Sequence, residues 1–213
     1  MPVSRRGALR GFATSGTAAL FGVRVDSAIE PSLQVAGRPI ELALTPIGSR
    51  IVRISILPLD AGRAGPIPSD GALVNENWGA PVARLSSVSA ARSFTCAAGR
   101  VEVSAAPLAV RIEAQDGRLV QELRFEVRTG SFAFSVGSGC VLGLGEGGPQ
   151  FDRRGSADRM RNGQGGYRLR THGGRVPVPW LIGTAGWAMF VHQPAGWFDL
   201  TGAEGRFSPT HAA

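Results

Sequence analysis

The amino-acid sequence predicts an all-β domain, built as an antiparallel β-sandwich. Short runs in which apolar and polar residues alternate recur along the chain, and turn signals separate them at intervals of about 8–12 residues. The 213 residues include 30 glycines and 14 prolines, a content that favours turns and short strands over long helices. No segment keeps a helical period over three turns. A chain of this length with 43% hydrophobic residues suits one domain with a sizeable core.

The first predicted strands lie between residues 41 and 58. Leu42 and Leu44 alternate with the smaller or polar residues of 41–44, and apolar and polar side chains alternate over residues 52–56, which is the period of a strand with one buried face. Pro58 ends the second of these runs. Residues 60–81 are rich in Gly, Pro, Asp and Asn and are predicted to form a long surface loop.

A larger group of predicted strands follows from residue 93. Alternation continues in four runs, residues 101–104, 110–114, 123–127 and 132–136. Asp116-Gly117 is predicted to form a tight type I′ hairpin turn, in which both central residues need positive φ. Thr129-Gly130 turns the chain again before the last run. Consecutive runs joined by such turns indicate antiparallel pairing.

The second half of the chain has a different composition. Residues 147–174 are dominated by Gly, Arg, Asp and Asn, and they lie between two apolar, strand-like segments, residues 134–144 and 178–191. A polar loop of this length in a compact domain is usually functional or disordered. Because two core strands hold its ends, the loop is predicted to present a binding surface.

The charge of the chain comes from arginine. The net charge is +7 at pH 7, and all 23 basic residues are Arg, which excludes Schiff-base and lysine-nucleophile chemistry. A basic chain can bind nucleic acid or an acidic membrane. Here the arginines alternate with acids along predicted strands, as in Arg124, Glu126 and Arg128, and this is typical of a solvated strand face. We therefore expect no nucleic-acid partner.

The cysteines and histidines predict no metal centre and no cofactor. Cys96 and Cys140 are too few for a disulfide scaffold or a zinc knuckle, and their apolar surroundings predict buried free thiols. Pairing of the two in an exported protein stays open. His172, His192 and His211 are far apart and lack the spacing of metal ligands.

The N-terminus resembles an export signal. Arg5-Arg6 precedes a modest apolar stretch over residues 11–23, as in twin-arginine leaders, so residues 1–28 are predicted to be a leader and residues 29–213 the domain. A periplasmic or secreted location would follow. An ordinary N-terminus with two arginines by chance is the alternative. No later segment is long and apolar enough to span a membrane.

Five short motifs follow one another in the second half of the chain. They are Gly143-Leu144-Gly145-Glu146, Phe151-Asp152-Arg153-Arg154-Gly155, the run from Arg161 to Tyr167, Val176-Pro177-Val178-Pro179-Trp180, and the run from Gly186 to Pro194. Their order and spacing resemble the end of the N-terminal domain of glycoside hydrolase family 31, the α-glucosidase and α-xylosidase family. The resemblance covers roughly residues 35–207 and is strongest after Gly143.

The resemblance implies a galactose mutarotase-like β-sandwich that stands in front of a catalytic (β/α)8 barrel. The chain ends at Ala213, about where that barrel begins in the family, so we expect a fragment or a truncated gene product. The implied partners are the missing barrel and an α-glycoside or oligosaccharide that binds through the parent enzyme.

The resemblance also assigns roles to single residues. The implied substrate-binding residues are Asn162, Gln164 and Tyr167. The implied structural residues are Gly143, Gly145, Glu146, Pro177 and Gly186. The chain departs from the family at Arg161, where the family has Trp, and at Gly163-Gln164, where an acid usually follows the Asn. In the family this loop reaches over the barrel mouth, so Gln164 would contact a sugar hydroxyl without a charge.

We expect no catalytic residue in this chain. A retaining glycosidase needs two carboxyl groups about 5 Å apart, a nucleophile and an acid/base. The family's nucleophile motif is absent, and Glu146, Asp152 and Asp158 are the acids of the motif run. The Glu146 carboxylate is expected to accept backbone N–H bonds or to pair with Arg. The parent enzyme would be the retaining α-glycosidase.

The main alternative is a stand-alone carbohydrate-binding or mutarotase-like protein. A mutarotase needs a His and a Glu that converge on a sugar ring, and no convincing pair is found. Trp180, Trp187 and Trp197 could form a sugar-stacking platform, although Trp at strand spacing is more often core. The arginines of residues 153–175 could bind phosphate, but pairing with the barrel or solvation is the preferred interpretation.

Overall fold

The computed structural model describes residues 32–66, 74–75, 78–148, 150–163, 175–193 and 195–210, and within these ranges the chain forms strands and loops without a helix. The described strands are β1 (Gln34–Val35), β2 (Arg38–Gly48), β3 (Ile51–Asp60), β4 (Arg63–Ala64), β5 (Ala83–Leu85), β6 (Arg92–Cys96), β7 (Gly99–Ala105), β8 (Leu108–Ala114), β9 (Leu119–Phe125), β10 (Phe132–Ser135), β11 (Val141–Gly143), β12 (Ala157–Arg159), β13 (Trp180–Gly183), β14 (Trp187–Phe190), β15 (Gly196–Asp199) and β16 (Glu204–Pro209). Every pairing between them is antiparallel, so the predicted all-β antiparallel fold is confirmed.

The strands form three sheets. The first has the order β1-β2-β3-β4, with β5 also paired to β2. The second and largest has the order β12-β15-β16-β10-β9-β8-β7-β6. The third contains β11, β13 and β14. In the large sheet, Phe132 of β10 pairs with Phe207 of β16, so the end of the described chain joins its middle.

Buried apolar side chains from all three sheets form one core. Leu42 and Leu44 of the first sheet and Val103 and Val110 of the second are 0% exposed. Leu181 of the third sheet belongs to the same cluster. These positions are the apolar halves of the alternating runs, because successive side chains of a strand point to opposite faces.

The outward face of the large sheet carries a ladder of ion pairs. Some pairs lie within one strand and others join different strands of the sheet. They are Arg100–Glu113, Arg111–Glu113, Arg111–Glu122, Arg124–Glu122, Arg124–Glu204 and Arg206–Glu126. Each pair is partly or fully solvated and contributes little by itself. The predicted solvated face of alternating Arg and Glu is therefore present.

Two predicted loops differ from expectation. The hairpin at Asp116-Gly117 forms, but Gly117 alone has positive φ, 81°. Ala114 N donates to Arg118 O, which closes a three-residue loop in place of the two-residue type I′ turn. The predicted loop from residue 60 starts later, because Ala61 and Gly62 turn β3 back into β4.

Both cysteines are free, but they differ in exposure. Cys96 is buried at the end of β6, and burial raises the pKa of its thiol. Cys140 is exposed before β11, so the prediction that it is buried is wrong. It lies just beyond the core strand, where the chain turns at the protein surface.

The predicted leader, residues 1–28, lies outside the described residues, so export and the domain boundary stay predictions. Within the described ranges, no helix has the length and hydropathy that a membrane crossing requires.

Candidate functional site

The candidate site begins where β11 leaves its sheet. Gly143, Leu144 and Gly145 have φ of 110°, 60° and 77°, an unusual left-handed run for consecutive residues. A Cβ at Gly143 would overlap the backbone of Trp180, and one at Gly145 the backbone of Val176. Glycine at both positions therefore serves both the conformation and the close approach of two backbones.

Backbone hydrogen bonds join the left-handed run and Glu146 to residues 176–180, which follow the polar loop. Leu144 N donates to Trp180 O at 2.8 Å, and Glu146 N donates to Val176 O at 2.9 Å. Val176 N returns a bond to Glu146 O at 3.2 Å. The two sides of the polar loop between residues 147 and 175 therefore meet at this bridge.

Arg153 donates hydrogen bonds to two backbone carbonyl groups of the left-handed run. Its side chain is buried, with Nε 2.8 Å from Gly143 O and Nη2 3.1 Å from Gly145 O. The guanidinium lies directly against Gly148, where any side chain would collide with it. Charged donors make stronger bonds to carbonyls than neutral ones do, which offsets part of the burial cost.

Arg175 donates hydrogen bonds to the carbonyl groups that alternate with those bound by Arg153. Its Nη1 lies 2.7 Å from both Leu144 O and Glu146 O. Its Nη2 donates to Asp158 Oδ2 at 2.8 Å, and the Arg and Asp side chains are 0% and 1% exposed. Two guanidiniums thus hold four successive carbonyls.

The cluster of Arg153, Asp158 and Arg175 is electrostatically unusual, because it holds two guanidiniums and one carboxylate away from solvent. Burial lowers the pKa of Arg153, and the Asp158 carboxylate partly offsets that shift. Arg153 Nη1, Asp158 Oδ1 and Arg175 Nε lack a hydrogen-bond partner among the described residues. Removing Asp158 or Arg175 would leave the other member of the buried ion pair without its partner.

This cluster corrects the interpretation of two of the arginines between residues 153 and 175, Arg153 and Arg175. Arg153 and Arg175 do not face solvent and are not exposed for pairing with another domain, since both are buried in the fold. Arg154 pairs with Asp152, with Nη2 2.6 Å from Oδ2. Arg159 lies over the Trp197 ring, 4.9 Å from its centroid.

Asp152 is fixed as an anion. Arg154 lowers the pKa of its carboxyl well below the usual range, with help from the backbone N–H groups of Val141 and Arg154. Those N–H groups lie 3.0 Å and 3.2 Å from Oδ1. A carboxylate held in this way is a poor proton donor, and Asp158 is bound to Arg175. Neither acid is arranged for acid/base catalysis.

The loop that carries Asn162 starts and ends at the buried ion pair. Asp158 stands in β12, four residues before exposed Asn162, and Gly163 N donates to Arg175 O at 3.1 Å. The structure thus places Asn162 at the protein surface, next to Gly163, which is bonded to the backbone of Arg175. Gln164 and Tyr167, also predicted to bind substrate, lie outside the described residues.

The remaining motif residues have backbone roles. Glu146 is exposed, and the expected bond to its carboxylate is not found among the described residues. Its backbone makes the bridge because the carbonyl and N–H face the returning chain. Pro177 is half-buried next to that bridge, and Gly186 has φ of 102° in the turn between β13 and β14.

The tryptophans do not form one platform. Trp187 is buried and packs edge-on against Phe134, with centroids 6.0 Å apart. Trp180 is exposed on the opposite face of the same hairpin, and Trp197 belongs to the large sheet. His192 stacks on Phe190, whereas His172 and His211 lie outside the described residues.

Sequence reasoning missed the residues that organise the site, Arg153, Asp158 and Arg175. Charged residues in a Gly-rich and Arg-rich segment look like surface residues. The one available signal was the series of motifs, because Arg153 lies inside one motif and Arg175 directly precedes another. Among the described residues, no three His, Cys, Asp or Glu side chains are grouped to hold a metal ion.

No protein-family model matches the chain, and no curated protein matches its sequence. Solved structures do match. A Flavobacterium johnsoniae GH31 dextranase, as a mutant complexed with isomaltotriose, is 17% identical with a TM-score of 0.55, and covers 83% of this chain and 25% of its own. The same dextranase complexed with glucose is 16% identical with a TM-score of 0.56, at the same coverage. This likeness shows a shared fold, and the chain spans about a quarter of the length of these structures.

Proposed function

We propose that this chain is the non-catalytic β-sandwich domain of an exported family 31 α-glycoside hydrolase. In this role it packs on a catalytic (β/α)8 barrel and lends a loop to the substrate entrance. The observation that carries the proposal is the fold match to one quarter of a GH31 dextranase, together with the ordered motif run. The domain's own acids support a non-catalytic role, because Asp152 and Asp158 are tied to arginines.

The anchored loop supports the proposed contribution to the substrate entrance. Binding residues on loops need a rigid base, because each angstrom of misplacement weakens a contact. The bridge between Glu146 and Val176 and the ion pair between Asp158 and Arg175 supply that base for Asn162. An amide such as that of Asn162 can donate to and accept from sugar hydroxyls.

We further propose an α-glucoside or α-xyloside as the substrate of the parent enzyme. The matched dextranase was solved with isomaltotriose and with glucose, which favours an α-linked glucose substrate for the parent enzyme. The Gly163-Gln164 replacement offers a neutral group where the family carries an acid, so a preference different from that of typical members is expected.

The test is purification of the protein from the organism that encodes it, with an affinity tag added at the chromosomal gene. We expect the tagged product to contain a (β/α)8 catalytic domain, in the same polypeptide or in a complex, and to hydrolyse an aryl α-glucoside or α-xyloside. The 213-residue chain produced alone should hydrolyse neither. A tagged monomer without a barrel that binds maltose or galactose saturably would favour the stand-alone carbohydrate-binding alternative.

A further inference from the structure

We propose that the outward face of the sheet β11, β13 and β14 is the surface on which the catalytic barrel docks. This inference rests on the proposed function, and it names the surface and the partner. The apolar face, as we call it, consists of Leu142, Val176, Val178, Trp180, Ile182 and Phe190.

The central row of the apolar face runs along β13 and the segment before it. Alternate residues Val176, Val178, Trp180 and Ile182 are 54%, 43%, 41% and 40% exposed. All four are apolar, and they point outward because side chains of an extended chain alternate between its faces. The interleaved Leu181 is 0% exposed and belongs to the core, so this segment is apolar on both sides.

The neighbouring strands widen the apolar face. Leu142 of β11 lies opposite Ile182, and Phe190 of β14 lies opposite Trp180 with ring centroids 6.3 Å apart. The three strands of this sheet contain no charged residue. A strand facing water on one side normally alternates apolar with polar residues, so an apolar pattern on both faces indicates that both become covered.

The large sheet of the same molecule shows what its solvent-facing surface looks like. There the outward positions carry the ladder of ion pairs that includes Arg124–Glu204 and Arg206–Glu126. The two outward faces belong to one chain with one composition. Their difference therefore reflects different surroundings, water for the ladder and another protein surface for the apolar face.

The position of the apolar face selects the barrel as its occupant. Val176 directly follows Arg175, the anchor of the Asn162 loop, and it forms the bridge with Glu146. A partner on the apolar face therefore lies beside that loop, as a partner must if it holds the sugar that Asn162 contacts. Exposed Glu146, at the edge, supplies a polar rim. In the matched dextranase, three quarters of the chain lies outside the shared fold, which leaves room for such a partner.

Site-specific photo-crosslinking in the encoding organism tests this proposal. One variant carries p-benzoylphenylalanine in place of Trp180, and a control carries it in place of Arg124 on the ion-pair ladder. We expect the Trp180 variant to yield crosslinked peptides of a (β/α)8 catalytic domain, in the same or another polypeptide, at least about tenfold above the control.

A substitution pair checks that the contact is specific. Ile182→Glu should reduce crosslinking from position 180 about tenfold, since it buries an unpaired carboxylate in the interface. Leu119→Glu is the matched control, because Leu119 is also 40% exposed but belongs to the large sheet. Both variants of the isolated chain should keep the thermal midpoint of the wild type, which shows that they fold.

The outcomes separate this inference from the proposed function. Barrel peptides crosslinked from Arg124 but not from Trp180 would overturn the docking face and leave the proposed function standing. Crosslinks from Trp180 to a second copy of this chain would overturn the choice of occupant. Barrel peptides from neither position would overturn the docking face, and absence of a barrel from the tagged complex would overturn the proposed function as well.

Discussion

Arg175 and Asp158 form a buried ion pair, with Nη2 2.8 Å from Oδ2, at the two ends of the loop that carries Asn162. The same guanidinium holds the carbonyls of Leu144 and Glu146. One side chain therefore joins a strand end, a returning strand and the base of a loop. The cluster that it forms with Arg153 explains how an irregular segment is held in place.

Arg175→Met should destabilise the chain by about 3–5 kcal/mol, because it leaves the Asp158 carboxylate buried without its partner. Urea unfolding followed by fluorescence measures the effect. Arg206→Met is the matched control, since it breaks an ion pair with Glu126 that faces solvent, and it should change stability little. Equal losses for the two variants would contradict the assigned role of the buried pair.

Gly145→Ala should be far more damaging than Gly62→Ala. Both glycines have φ of 77°, so both substitutions carry the cost of a left-handed alanine, about 1–2 kcal/mol. Nothing lies near a Cβ at Gly62, whereas at Gly145 it meets the backbone of Val176 and Val178. Overpacking of this kind adds roughly 1–3 kcal/mol. The difference between the two free energies of unfolding isolates the close approach, and no difference would argue against it.

Asp152 should make stability depend on acid pH. Arg154 lowers the pKa of Asp152 in the folded state, so its contribution is present above the unfolded-state pKa of about 3.9. That contribution is lost as pH falls below about 4. Wild type should therefore exceed Asp152→Asn in stability at pH 7, with a gap that narrows under acid conditions. Arg154→Gln should remove most of this pH dependence, and a gap that is constant from pH 7 to pH 2 would refute the assignment.

The two thiols should react at different rates. Cys140 is exposed, whereas Cys96 is buried and its pKa is raised by burial. Iodoacetamide at pH 8 should modify Cys140 in the folded protein and Cys96 only after unfolding, because the thiolate is the nucleophile. Mass spectrometry of wild type and Cys140→Ser measures both. Modification of Cys96 as fast as Cys140 would be inconsistent with the structure. So would a protein in which neither thiol reacts until a reductant is added, because both cysteines are free in the structure.

The strands were predictable where local alternation decides them. The runs that became β7, β8 and β9 follow the period of two that a half-buried strand imposes. The pairing of β10 with β16 was not predictable, because it joins Phe132 to Phe207 across a separation in sequence that no local pattern encodes. The three-residue length of the turn at Gly117 was not predictable either, since a bulge between Ile112 and Glu113 shifts the register of the hairpin.

The candidate site was predictable only as a location. The motifs from Gly143 onward predicted where the loop begins and ends, since Gly-rich strand ends and prolines mark the ends of strands. Its interior was not predictable, because Arg153 and Asp158 are buried by contacts with carbonyls and charges distant in sequence. Burial of a charge depends on its partners, and a single sequence does not show which residues those are.

Hydrolysis of an aryl α-glucoside and an aryl α-xyloside, assayed in parallel for the isolated 213-residue chain and for the tagged native product, tests the central claim most directly. We predict turnover by the native product only, with Asn162→Ala raising its KM while leaving the stability of the isolated chain unchanged. Turnover by the isolated chain, in proportion to its concentration and abolished by Asp152→Asn or Asp158→Asn, would contradict the account.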